Sequence, residues 1–141
     1  MATTTLLLVD DSDVDRYITQ RLLTKAGCDA RIVEVENGRE ALDWLRDNRI
    51  PADDGLLILL DLNMPVMGGF EFLLEFAALR EQRVDLQPGV VAVLSSSNHP
   101  DDLHRSGAFP FVWRHLVKMP TVDALADIVR QARTCTGRAY A

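Results

Sequence analysis

Five consecutive aliphatic residues, Leu56-Leu57-Ile58-Leu59-Leu60, run without a polar break into a single carboxylate, Asp61. A strand has two faces, and a segment apolar on both belongs inside a sheet that helices cover on each side, the arrangement typical of parallel strands. Met64-Pro65 and Gly68-Gly69 then stop the strand and turn the chain. The stretch therefore predicts a buried strand with Asp61 at its mouth. A carboxylate there costs free energy unless a cation or hydrogen-bond donors answer it.

Other runs end in the same way. Leu6-Leu7-Leu8-Val9 leads into Asp10 and Asp11, Val90-Val91-Ala92-Val93-Leu94 into Ser95-Ser96-Ser97, and Phe111 to Val117 into Lys118. A fifth segment, Ala30 to Val35, alternates between apolar and charged residues, as a strand near a sheet edge does. Helical patterns lie between the strands. Ser12 or Asp13 caps a first helix with Val14, Ile18 and Leu22 on its apolar stripe and Gly27 as its stop. Asn37, with Glu40 three residues on, marks a capping box for a second helix that buries Ala41, Leu42, Trp44 and Leu45. Phe70, Leu73, Leu74 and Ala77 mark a third helix, followed by a polar loop from Arg80 to Gly89. A short fourth helix starts at Pro100 and ends at Gly107. Thr121 caps the last, with Leu125, Ile128, Val129 and Ala132 on one side and a frayed tail from Thr134. Five strands alternating with helices predict an α/β fold with a parallel sheet between two helical layers.

The 141 residues suffice for one domain with a proper core. A net charge of -6 with no basic cluster argues against nucleic acid as a partner. No apolar run approaches the roughly 18 residues a membrane span needs, and Met1-Ala2-Thr3-Thr4-Thr5 lacks the positive flank of a signal peptide, so the expected compartment is the cytoplasm. Cys28 and Cys135 stand in no metal or redox spacing and read as ordinary thiols. His99, His104 and His115 match no usual zinc spacing.

In open parallel sheets the site lies beyond the carboxyl ends of the strands. Asp10, Asp11, Asp61, Ser95 and Lys118 all fall there. Singly, each has an ordinary reading: a helix cap, a turn residue, a polar loop, a solvated charge. Jointly they converge on one place. Three crowded carboxylates repel one another unless a cation sits among them, and a small hard cation such as Mg²⁺ suits one or two carboxylates, waters and a phosphate oxygen. Ser95 and Lys118 suit an incoming phosphoryl group, one as a donor and the other as a point charge. The constellation looks built to accept a phosphoryl group on a carboxylate.

These motifs, from Leu6-Leu7-Leu8-Val9-Asp10-Asp11 through Leu60-Asp61-Leu62-Asn63-Met64-Pro65-Val66-Met67-Gly68-Gly69-Phe70 to Ser95 and Lys118, resemble the receiver domains of bacterial two-component response regulators, over nearly the whole chain. The resemblance implies a flavodoxin-like (βα)5 three-layer sandwich with strand order 2-1-3-4-5. It makes Asp61 the phosphoacceptor and Asp10, Asp11, Asp61 and the Asn63 backbone carbonyl the ligands of Mg²⁺, with Ser95 and Lys118 on the phosphoryl oxygens. Three departures stand out. Gly68-Gly69 replaces the usual Asp-Gly; Lys118-Met119-Pro120 replaces Lys-Pro, so either the peptide after Lys118 is trans or the loop is rearranged; and His115 replaces the usual switch aromatic.

The resemblance implies a stand-alone receiver over 1–141, with its core at about 5–133, a frayed tail over 134–141 and no output domain. Its partner would be a sensor histidine kinase or a histidine phosphotransfer protein, with a homodimer through the fourth helix, fifth strand and last helix as a further partner. Such a chain is a signalling protein and no enzyme, though it assists its own phosphorylation and dephosphorylation. The rival is a receiver-fold interaction module that is never phosphorylated, against which the complete set of acids, Ser95 and Lys118 argues. A hydrolase with an Asp nucleophile lacks its second acid, because Asn63 stands two residues after Asp61.

Overall fold

The computed structural model describes residues 4–28, 30–51, 53–62, 67–95, 100–118 and 120–138, and the side chains of these except 100–103 and 133–138. Five strands, β1 (Thr4–Val9), β2 (Ala30–Val35), β3 (Gly55–Asp61), β4 (Val90–Ser95) and β5 (Val112–Val117), alternate with helices α1 (Asp13–Lys25), α2 (Gly38–Asp47), α3 (Gly69–Gln82), α4 (Pro100–Gly107) and α5 (Val122–Arg138). All neighbouring strands pair in parallel, in the order β2-β1-β3-β4-β5. This is the flavodoxin-like topology expected from the sequence.

The sheet is buried on both faces at its centre, and alternate residues serve different layers. Leu7, Val9, Ile58, Leu60, Val91 and Val93 pack with α2 and α3 through Ala41, Leu42, Leu45, Phe72, Leu73 and Phe76. Leu6, Leu8, Leu57, Leu59, Ala92 and Leu94 pack with α1 and α5 through Leu23, Leu125, Ile128, Val129 and Ala132. Each such fully buried aliphatic side chain contributes about 1.5–3 kcal/mol relative to exposure, which is why the unbroken runs commit these strands to the interior. The outer strands β2 and β5 are only half-buried.

Caps follow the sequence closely. Ser12 caps α1 by accepting from the Asp15 amide at 3.2 Å, and Thr121 Oγ1 accepts from the Ala124 amide at 3.1 Å. Asn37 accepts from the Glu40 amide at 2.9 Å, while Glu40 reaches back to the amide of Glu36 at 3.0 Å, one residue upstream of the usual capping-box target.

Two helical faces differ from expectation. In α1 the buried residues are Thr19 and Leu23, whereas Val14 and Ile18 are exposed. In α3 Phe72, Leu73 and Phe76 are buried while Leu74 faces solvent. The expected loop from Arg80 is instead the last turn of α3 followed by a single 3-10 turn, Val84–Leu86, whose Leu86 is fully buried. Helix α5 continues to Arg138, past Thr134. No described helix is long and apolar enough to cross a membrane.

One irregularity lies in the pairing of β4 with β5. Val91 pairs with Val112, but Ala92 pairs with Arg114, so Trp113 is an extra residue in β5, a β-bulge.

Candidate functional site

Strand register alone assembles the site. Val9 pairs with Leu60, so the next residues, Asp10 and Asp61, leave the sheet side by side. Asp61 in turn pairs with Leu94, the residue before Ser95, and Ser95 pairs with Val117, the residue before Lys118. The Lys118 amide donates to the Ser95 carbonyl at 3.0 Å, closing the last step.

Asp10 and Asp61 are almost wholly buried, at 1% and 4% exposure, while Asp11 is exposed. Their carboxylate oxygens lie within 4.8 Å of one another, the group that could hold a metal ion among the described residues. Asp10 is held from two sides: its Oδ1 accepts from the Ser12 amide at 3.0 Å, and its backbone carbonyl accepts from Arg16 at 2.5 Å. Arg16 also pairs with Glu34 at 3.2 Å, so it ties the start of α1 to β2.

Lys118 Nζ donates into this group, 2.9 Å from Asp10, 3.0 Å from Asp15 and 3.2 Å from Asp61. Burial pushes its ammonium toward a lower pKa, but the hydrogen bonds to Asp10 and Asp15 and the charges of Asp61 and Asp10 outweigh that and hold it above the ordinary lysine value. Ser95 is 5% exposed at the end of β4.

Asp10, Asp11, Asp61, Ser95 and Lys118 are thus all brought to one end of the sheet. Asn63 and the peptide between Lys118 and Met119 lie outside the described residues. Sequence reasoning missed Asp15 and Arg16. Side chains on a helix lean toward its N-terminus, so an acid in the first turn of α1, just past the Asp10-Asp11 pair, was the available signal.

Behind Asp61, Gly69 is required by close approach. A Cβ there would lie 2.7 Å from the Leu62 Cα and 3.0 Å from the Asp61 carbonyl oxygen. Its amide donates to the Leu62 carbonyl at 3.1 Å. Met67 adopts a positive φ of 49° and its carbonyl accepts from the Gly38 amide at 3.2 Å, which links this loop to α2. On β5, His115 Nε2 hydrogen bonds to the fully buried Ser106 hydroxyl of α4. Burial lowers the His115 pKa below its ordinary value.

Comparison with known proteins agrees with this geometry. Residues 6–130 match the family model of the response regulator receiver domain. The chain is similar to the two-component response regulator ORR1 of Oryza sativa subsp. japonica, 35% identical over 121 residues, which cover 80% of this chain and 50% of that protein. The chain thus spans about half the length of that curated relative. Among solved structures it is similar to the phosphorylated cyanobacterial phytochrome response regulator RcpA, at 31% identity and a TM-score of 0.68, covering 92% of this chain and 91% of that one. It is also similar to the Mn²⁺-bound form of response regulator Rcp1, at 30% identity and a TM-score of 0.65, covering 90% and 89%. Sequence match, sheet order and the clustering of acids with a lysine at the strand ends converge: the chain belongs to the response regulator receiver domain family.

Proposed function

We propose that Asp61 accepts a phosphoryl group from a phosphohistidine of a sensor histidine kinase or histidine phosphotransfer protein. A carboxylate oxygen of Asp61 attacks phosphorus as the nitrogen–phosphorus bond breaks, and the imidazole leaves as it takes up a proton. Attack by water on the acyl phosphate later returns inorganic phosphate and the free carboxylate. The chain assists both steps of its own modification without turning over a metabolite.

The observation that carries this reading is the Lys118 ammonium 3.2 Å from Asp61 beside a cluster of further acids. Lys118 offsets charge on the phosphoryl oxygens, and the Ser95 hydroxyl donates to them. The donor set fits a hard divalent cation. It is all oxygen, two of its three carboxylates are buried, and one ammonium does not balance the acids around it. Asp10, Asp11, Asp61 and the Asn63 carbonyl would hold Mg²⁺. When bound, the ion spreads the negative charge that develops in phosphoryl transfer.

Phosphorylation places up to about two negative charges beside Ser95 and Lys118. Ser95 ends β4, which leads into α4, and Lys118 follows β5, which leads into α5, so the surface of α4, β5 and α5 is the proposed output face, acting by protein contact or onward phosphotransfer. The test is incubation with a small-molecule phosphodonor and Mg²⁺, read by intact mass. One added phosphate on the wild type and none on Asp61→Asn is expected; equal addition to both, or to neither, rejects the reading.

A further inference from the structure

Lys118 has more partners than a phosphoryl-binding lysine needs. Its Nζ touches Asp10, Asp15 and Asp61 at 2.9, 3.0 and 3.2 Å. Two of these, Asp10 and Asp61, belong to the carboxylate cluster suited to a divalent cation, and Asp15 does not. The ammonium therefore lies on carboxylates that the cation also requires. Positive charges repel at this range, and burial of the group weakens the screening that water would provide.

Asp15 differs from the other two in position as well. It comes from the first turn of α1, its amide is fixed by the Ser12 cap, and its side chain is 31% exposed, against 2% for Asp10 and 6% for Asp61. It thus holds the ammonium from the rim, while the other two hold it from the floor.

We infer that Asp15 is a positioning residue acting through Lys118: it retains the ammonium at the rim when Asp10 and Asp61 turn to a divalent cation, and keeps it within reach of a phosphoryl group on Asp61. The inference rests on the reading of the acids as a Mg²⁺ site. Its consequence is that Asp15 raises cation affinity although it is no ligand, because it gives Lys118 a place to stand that the cation does not contest. An acid acting only as a nearby negative charge, or only as a first-turn partner of the α1 dipole, would not need Lys118 to exert its effect.

The experiment is a calorimetric Mg²⁺ titration of the full chain in four forms: wild type, Asp15→Asn, Lys118→Met and the double variant. Asp15→Asn is expected to weaken Mg²⁺ binding about tenfold when Lys118 is present and by less than about twofold in the Lys118→Met background, the signature of coupling between contacting residues. Asp15→Glu, which keeps the charge, is expected to restore most of the affinity. Equal weakening in both backgrounds, or no weakening in either, overturns the inference while leaving the cation site intact. Absence of Mg²⁺ binding by the wild type overturns the site reading and this inference with it; phosphorylation of Asp61, measured separately by mass, shows whether the acceptor reading survives.

Discussion

The Ser106 hydroxyl and His115 Nε2 share a hydrogen bond that ties α4 to β5. Burial lowers the His115 pKa, so the folded state favours the neutral ring more than the unfolded chain does. The stabilising contribution is therefore complete above the unfolded value of 6.5 and is lost as pH falls from there toward the lowered folded value. Urea unfolding of the wild type is expected to show a stability decrease across this window that His115→Phe lacks. Equal slopes in the two proteins would reject the assignment.

A second clamp joins α2 to the turn after α3. Arg83 donates to the Leu45 and Asn48 carbonyls at 2.7 Å each and pairs with Asp85 at 2.7 Å, while Asp85 accepts from the Ile50 amide at 3.0 Å. Arg83→Met should cost about 1–3 kcal/mol, through the lost charge-assisted bonds and the acceptors left behind. Calorimetric or urea unfolding measures it.

The same pair governs acid sensitivity. The Arg83 hydrogen bond, reinforced by the Ile50 amide, outweighs burial and lowers the Asp85 pKa from 3.8 to about 2. A lowered carboxyl stabilises above its unfolded value and ceases to do so as pH falls from 3.8 toward about 2. Asp85→Asn should flatten the stability profile over that interval, and should leave the slope above pH about 5 unchanged.

Gly69→Ala should push apart the two segments that frame Asp61. The added methyl carbon meets backbone at 2.7 Å, so Leu62 must move, and such overpacking costs about 1–3 kcal/mol. Because Leu62 follows Asp61 directly, slower labelling by a small-molecule phosphodonor is expected alongside the lower urea midpoint. Gly27→Ala, with open space around its Cβ but a φ of 72°, should lower the midpoint and leave labelling unchanged.

Lys118→Met should slow phosphorylation on the order of 10²-fold, the scale of removing one positioned electrostatic donor. The mass-labelling rate at saturating Mg²⁺ measures it. A change of less than about threefold would detach Lys118 from the transfer step.

The inner strands were legible because a run apolar at every position has one destination, whatever its neighbours do. Asp10, Asp11, Asp61 and Ser95 were legible because each stands at the end of such a run, and Lys118 because it follows the fifth strand, although Arg114 and His115 interrupt that strand's apolar pattern. Helix faces were harder. In α3, Phe70, Phe72, Leu73, Leu74, Phe76 and Leu79 surround most of the axis, so periodicity cannot select Phe72 and Phe76 over Phe70 and Leu74. In α1 the four-residue spacing of Val14, Ile18 and Leu22 brings only Leu22 against the core; Val14 and Ile18 are exposed, and the buried residues are Thr19 and Leu23. Asp15 was hidden for another reason: its partner, Lys118, is 103 positions away, and only the assembled fold puts the two in contact.

The extra residue at Trp113 sets the parity of β5. Strand side chains alternate, and Trp113 with Leu116 packs toward α5 while His115 turns toward α4. Without the bulge, the pairing begun at Val91 and Val112 would set Ser95 against Leu116, leaving Lys118 a residue farther out and reversed in face. Length changes in the turn before Val112 leave that phase alone. Deleting Trp113 would absorb the bulge and keep Ser95 opposite Val117, whereas a single deletion between Arg114 and Val117 would set Lys118 itself opposite Ser95 and reverse its face, so the spacing of that short stretch matters to the site as much as the identity of the lysine it delivers.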